Sequence, residues 1–187
     1  MLVVKLFATD WTRMPTISSR RFLLRDYTPD DRAAFVAYQT DPAFTLYHHA
    51  DELGEENAHK VFSLFLEWQT QQPRLNHQLA LTLREDPAAL LGSCGVRMEG
   101  CSEGEAVFGI ELARAYWGRH AYANEASAAM IAWAFRHLPL DALVADTAME
   151  NRAVARLAQA AGFVRTHVGA KQWWRLVRTD WERLHTL

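Results

Sequence analysis

The chain predicts an α/β fold in which a mixed sheet is covered by helices. Two observations lead there. Short apolar runs bounded by turn residues alternate with longer stretches whose apolar residues recur every three or four positions. Their order, β-α-α-β-β-β-α-β-α-β-β, interleaves strands with helices, which is the pattern of a layered sheet-and-helix domain. With 187 residues, half of them apolar, the chain is long enough for one domain with a sizeable core.

Each element has a local reason. FLLRDY (22–27) reads as a strand. Thr28-Pro29-Asp30-Asp31 then supplies a hydroxyl cap, a proline at the first helical position and acids in the first turn. That helix runs to about Thr40, where Asp41-Pro42 stops it. The longest loop of the front half, AFTLYHHADELG, carries His48 and His49. A second helix over 55–71 places Ala58, Val61, Phe62 and Phe65 at helical spacing. QLALTLRE (78–85) and LLGSCGVRME (90–99) are strands separated by Asp86-Pro87. AVFGIELA (106–113) alternates Phe108, Ile110 and Leu112 with Gly109, Glu111 and Ala113.

A third helix takes 122–137, with Arg136 and His137 in its last turn and Pro139 just beyond. ALVADTA (142–148) is a buried strand. A helix over 151–161 is closed by Gly162, with Val154, Leu157, Ala158 and Ala161 on one face. FVRTHVG and WWRLVRT finish the chain as strands. Residues 1–16 read as an N-terminal extension and 17–187 as a single domain.

Charge and composition exclude some functions. The net charge of −2 comes with Lys and Arg spread along the chain rather than in a basic stripe, so nucleic acid is not expected as a partner. No apolar run approaches the ~20 residues that span a bilayer. The start, MLVVKLFATDWTRM, lacks a small-residue cleavage pattern. A cytoplasmic protein is expected. Cys94 and Cys101 lack the paired spacing of a zinc site; two free thiols is the simpler reading and a disulfide the other. No metal is expected.

The chemistry points to AYWGRHAYANEA (115–126), where a strand runs through a short turn into an alanine-rich helix. Such a helix start concentrates unpaired N–H groups and the positive end of a dipole, and phosphate is the usual guest. Gly118, Ala121 and Ala123 leave the backbone approachable, and Arg119 and His120 add donors. The alternative is structural: Gly118 makes the turn, Trp117 packs and Arg119 is solvated.

The run IELARAYWGRHAYANEA resembles the pyrophosphate-binding segment of the GNAT acetyltransferase superfamily, in the form W-G-x-G-Y-A-T-E-A found in its ribosomal-protein N-terminal branch. The stretch between Trp117 and Ala123 is one residue longer here. Ala121 stands where that pattern has an internal glycine, so the loop is expected to follow a different path. Three further segments are similar to the same branch. SSRRFLLRDYTPDDRAAF matches its opening strand and helix. DTAMENRAVARLAQAAGF matches a segment in which Asn151, Arg156, Gly162 and Phe163 keep their places. WWRLVRTDWERL matches its closing strand and x-R-x-x-W tail. The likeness covers roughly residues 17–184.

That resemblance implies a GNAT-like fold: a mixed, mostly antiparallel central sheet of six to seven strands, with helices on both faces. It implies transfer of an acetyl group from acetyl-CoA, as co-substrate, to an amine acceptor. The acceptor is a protein N-terminus or a small amine, and a homodimer is one implied arrangement. Backbone around Leu112 and Ala113 would bond the pantetheine arm. Gly118, Arg119, His120, Ala121, Tyr122, Ala123 and Asn124 would cradle the diphosphate, with Asn151 and Arg156 beside it.

Glu111 is the candidate base, since Gly109 and Ala113 on its strand face leave room for a substrate. The competing reading is an ion pair with an arginine on the next strand. His48 and His49 are rival bases and acceptor-lining residues, or plain polar surface; Asp146 is a third option. Asn151 either donates toward the leaving sulfur or caps its own helix. Trp117 and Tyr122 face adenine or the core. Trp173 and Trp174 point to opposite faces of one strand, so at most one lines an acceptor pocket; Trp174 is the candidate. Ala158 and Val154 stand where relatives place a tyrosine or a serine, which leaves no general acid evident. The alternative to an enzyme is an acyl-CoA-binding module without catalysis.

Overall fold

The computed structural model describes residues 16–47, 53–119 and 121–185. Eight strands form one sheet: β1 (Ile17–Ser18), β2 (Phe22–Arg25), β3 (Asn76–Leu83), β4 (Leu90–Arg97), β5 (Glu105–Leu112), β6 (Ala142–Ala148), β7 (Val164–Val168) and β8 (Lys171–Val177). Their spatial order is β1-β2-β3-β4-β5-β6-β8-β7. Every neighbouring pair is antiparallel except β5 with β6. The helices are α1 (Arg32–Gln39), α2 (Glu55–Trp68), α3 (Tyr122–His137), α4 (Arg152–Ala160) and α5 (Arg178–His185).

The α/β class, the mixed and mostly antiparallel sheet and the helices on both faces are as expected, with two corrections. The sheet has eight strands, not six to seven. The extra one, Ile17–Ser18, is an edge strand paired with Leu24 and Leu23, and two residues are too few to show an alternation. The last described element is also a helix rather than a strand. α5 holds Trp181 as its buried residue, and this one anchor gives no repeating stripe.

Apolar residues on the two sheet faces build two cores. Tyr27, Phe35, Phe62 and Phe65 pack edge-to-face and tilted between α1, α2 and the sheet, joined by Ala80 and Leu90. On the other face Leu79, Leu81, Leu91 and Leu143 meet Met130, Ile131, Ala134 and Phe135 of α3. β3 feeds both, Leu79 and Leu81 one way and Ala80 the other, which is why QLALTL reads as an almost continuous buried run.

The first helix starts as its sequence suggests, through a 3-10 turn, Pro29–Asp31. The Asp31 carboxylate accepts from Thr28 N–H (2.7 Å) and from both terminal nitrogens of Arg25 (2.7 and 2.8 Å). Burial pushes the Asp31 carboxyl up, but these donors hold it below its ordinary value.

α3 is tied down at both ends. At its first turn Glu125 accepts from Ser19 Oγ, Arg21 N–H and Arg21 Nε, each at 2.7 Å, and the Arg21 guanidinium lies 4.7 Å over the Tyr122 ring. Burial pushes the Glu125 carboxyl up, and the bonds from Ser19 and Arg21 outweigh it, so it lies below its ordinary value. This contribution to stability is complete above the unfolded-chain carboxyl pKa and fades as pH falls through the lower folded value. At the far end Arg178 donates to the carbonyls of Leu140 (2.6 Å), Leu138 (2.9 Å) and Phe135. Phe135 belongs to the last turn of α3, whose carbonyls lack helical partners, Leu138 is its C-cap and Leu140 lies just beyond. Trp181 stacks obliquely on Phe135. The x-R-x-x-W tail is thus a cap and an anchor for α3.

Arg178→Ala is expected to cost roughly 2–3 kcal/mol, because several carbonyls lose a charged donor at once. For a domain of this size the melting temperature falls by roughly 5–10 °C. A thermal melt within 2 °C of wild type would contradict the capping role.

Candidate active site

β5 and β6 pair at only three positions, Glu105↔Ala142, Ala106↔Leu143 and Val107↔Val144. β5 continues against β4 as far as Leu112, and β6 continues against β8 as far as Ala148. From Phe108 and Ala145 onward the two strands have no pairing with each other. A row of backbone N–H and C=O groups on each bank is left without the neighbouring strand, and buried groups of that kind demand partners. An extended ligand carrying amides can supply them, much as a peptide adds to a sheet edge.

The turn after β5 closes one end of this gap. It runs through a 3-10 turn, Arg114–Tyr116, then Gly118 at φ 66° and Ala121 at φ 55°, ψ 37°. Ala121 therefore takes the left-handed conformation that favours glycine. The methyl group makes that conformation cost about 1 kcal/mol. Ala121 also offers no side-chain cap, so nothing on its side chain covers the first amides of the 16-residue α3. Tyr122 N–H donates to Arg119 O, and Glu125 N–H to Ala121 O. Arg119 and Asn124 are exposed and Ala123 half-buried at this helix start. His120 lies outside the described residues.

Other proposed contacts are already engaged. Ala113 N–H donates to Leu91 O and Ala113 O accepts from Tyr116 N–H. Leu112 O accepts the Trp117 indole N–H at 2.6 Å. A ligand bonding this stretch has to displace Trp117 or use the remaining lone pairs and the Leu112 N–H. Tyr122 packs edge-on against Phe22, with ring centroids 4.9 Å apart, so its ring belongs to the core.

Glu111 projects to the α1 side of the sheet. Its Oε2 accepts from Gln39 Nε2 at 2.8 Å and, more weakly, from the Tyr38 hydroxyl at 3.4 Å. Burial, with Tyr27 and Glu111 nearby, pushes the Tyr38 hydroxyl well above its ordinary value, so it stays a neutral donor. Gly92 fits the strand alongside because a Cβ there would stand 2.1 Å from Glu111 O. Tyr38 and Gln39, which hold the candidate Glu111, are residues that sequence reasoning missed. They lie at the end of a helix more than seventy residues earlier, and no motif marks them.

The remaining candidates divide. Asn151 Oδ1 accepts from Val154 N–H at 3.1 Å and caps α4. This leaves its amide N–H₂ group at the end of the loop that follows β6. Arg156 is exposed on α4. Asp146 Oδ2 lies 2.6 Å from Lys171 Nζ. Trp174 is corrected: at 2% exposure it sits in the core shared with α3, whereas Trp173, on the opposite face, is 45% exposed. His48 and His49 lie outside the described residues. Among the described residues no cluster of metal-ligating side chains is present, and no helix is long and apolar enough to cross a membrane. Cys94 and Cys101 are free thiols.

Ala121→Gly should relieve the left-handed alanine and stabilise the fold by roughly 0.5 kcal/mol, the gain being trimmed by a more flexible unfolded chain. Denaturant titration checks it; destabilisation by 1 kcal/mol or more would contradict the strain.

Comparison with known proteins identifies the frame. The family profile described as an acetyltransferase (GNAT) domain matches residues 21–164. The uncharacterized N-acetyltransferase p20 of Bacillus licheniformis is 24% identical over 150 residues, covering 80% of this chain and 83% of that protein. Among solved structures, an acetyltransferase from Agrobacterium tumefaciens superposes with a TM-score of 0.73 at 24% identity, covering 87% of this chain and 94% of the other. A spermidine N-acetyltransferase from Vibrio cholerae, solved in complex with CoA and spermine, superposes with a TM-score of 0.71 at 13% identity, covering 87% and 99%. With the gap, the helix start and the profile match in hand, this chain belongs to the GNAT acetyltransferase family.

Proposed function

We propose that the protein is an acetyl-CoA-dependent N-acetyltransferase that moves the acetyl group to a primary amine, either a protein N-terminus or a small molecule. The observation that carries this reading is the parting of β5 and β6 with Glu111 on one bank and the α3 N-terminus at the mouth. The pantetheine arm lies along the freed strand edges. The amides after Ala121, with Arg119, hold the diphosphate at the positive end of α3. Arg156, exposed on α4, is a further cation for the same group. A cytoplasmic location and pairing into a homodimer belong to the same reading, as does a single domain over 17–187.

The acceptor amine attacks the thioester carbonyl when neutral, although its pKa in water is near 10. Glu111, held by Gln39 and Tyr38, accepts the proton as the new C–N bond forms. A backbone N–H of β5 stabilises the oxyanion. The C–S bond then breaks and the CoA thiolate leaves, taking its proton from solvent, and the Asn151 amide is the hydrogen-bond donor proposed for the sulfur. Val154 and Ala158 supply no hydroxyl, so no side-chain acid is assigned.

Glu111→Gln is expected to lower kcat/KM for the amine by roughly 10²–10³-fold and to remove the acidic limb of the pH–rate profile. Thiol release from acetyl-CoA across a panel of amines measures both. An unchanged profile would show that Glu111 is not the base. Acetyl-CoA binding with no thiol release for any amine would favour the non-catalytic binding module.

A further inference from the structure

The open face beside the gap carries a group whose purpose the reaction above does not use. On β6, Leu143 lies in the core beneath α3, so Val144 and Asp146 project to the opposite face. On β8, Trp174 and Leu176 lie in that same core, so Lys171, Trp173 and Arg175 also project to the opposite face. On β5, Phe108 is in that core and Glu111 is opposite, reaching α1. Glu111 and Asp146 therefore emerge on one face of the sheet, on the two banks of the gap. Among the described residues α1 and α2 cover this face over β3 and β4 and leave the β6–β8 part open, where Trp173 is 45% exposed.

Asp146 and Trp173 are directly opposed across β6 and β8. A carboxylate beside an exposed indole face is the chemistry that recognises an organic cation, by charge and by the ring quadrupole. The Lys171 ammonium already sits on Asp146 at 2.6 Å, which shows that a primary ammonium fits there. The side chains are 30% and 41% exposed, and an ion pair so open to solvent does little for stability and exchanges readily. Among the described residues of β5, β6 and β8, the other acid on this face beyond Glu111 is Glu105, which is held by Arg175 at the end where β5 and β6 are still paired. It is closed off from the gap. Asp146 is the acid on the β6 bank.

We propose that Asp146, with Trp173 beside it, binds a second cationic group of the acceptor, and that Lys171 occupies this place in the free protein. The proposal rests on the acetyltransferase reading and names the substrate class: an amine that carries a further ammonium. The reacting amine has to lose its proton, while a second ammonium with pKa near 10 keeps its charge at neutral pH. The two ends of such an acceptor are thereby told apart, one held by Asp146 and the other facing Glu111. Lys171 is a built-in competitor that leaves when the acceptor arrives.

Paired acceptors test this. 1,4-Diaminobutane is compared with 4-amino-1-butanol, and alanyl-lysine amide with alanyl-norleucine amide, in wild type, Asp146→Asn and Lys171→Ala. The readout is the ratio of kcat/KM for the member with two amines over the member with one in each pair. Wild type is expected to prefer the member with two amines at least tenfold in one pair. Asp146→Asn should reduce that preference at least fivefold, whereas Lys171→Ala should raise it threefold or more by removing the competitor. A purely structural ion pair would move both variants in the same direction. That result, or an unchanged preference, or an equal loss for both members in Asp146→Asn, overturns the proposal. If wild type turns over neither member of either pair, the proposal falls, and an amine screen for thiol release then decides whether the acetyltransferase reading falls with it.

Discussion

The structure depends on where one parallel strand pair ends. β5 and β6 are held together at Val107 and Val144 and then part, although each keeps a full antiparallel partner on its other side. A sheet that opens in this way without dissolving needs support from outside the gap. The two cores provide it. The aromatic cluster under α1 and α2 secures β3 and β4, and the larger core shared with α3 bridges β4, β5, β6 and β8. Backbone groups that would otherwise bond across the gap become the means of binding an extended ligand.

α3 spans the closed face behind this opening, and its two ends are fixed by different chemistry. Glu125 joins its first turn to the β1–β2 turn through three hydrogen bonds, and Arg178 gathers the carbonyls at its last turn. The first amides of α3 are therefore held by their surroundings rather than by a side-chain cap at Ala121. This arrangement suits an anion: Tyr122 N–H is taken by Arg119 O, and the Ala121 side chain offers no acceptor to the amides that follow. The left-handed alanine stores a small strain in the same turn, as residues beside binding sites often do.

Much of the fold was legible because its signals are local. α3 spans 122–137 as expected, since a basic last turn and Pro139 mark its end. α4 begins at the Asn151 cap and stops before Gly162, which has φ 90°. β6 matches residue for residue. α5 was not legible, because its one buried residue produces no periodicity. The faces of Trp173 and Trp174 illustrate a different limit. Alternation along a strand says that they diverge, but only the placement of α3 says which one is covered. Tyr38 and Gln39 were invisible for a third reason. Their role is created by tertiary packing of α1 on β5, and nothing in their own neighbourhood records it. The site's two banks could be named from motifs; the groups that hold Glu111 could not.

Amide hydrogen exchange with and without acetyl-CoA tests the central claim most directly. Ligand in the gap should slow exchange at amides within 108–112 on β5, within 145–148 on β6 and in the first turn of α3, together and at the same ligand concentration. Protection confined to other surfaces, with those amides exchanging as in the free protein, would contradict the account.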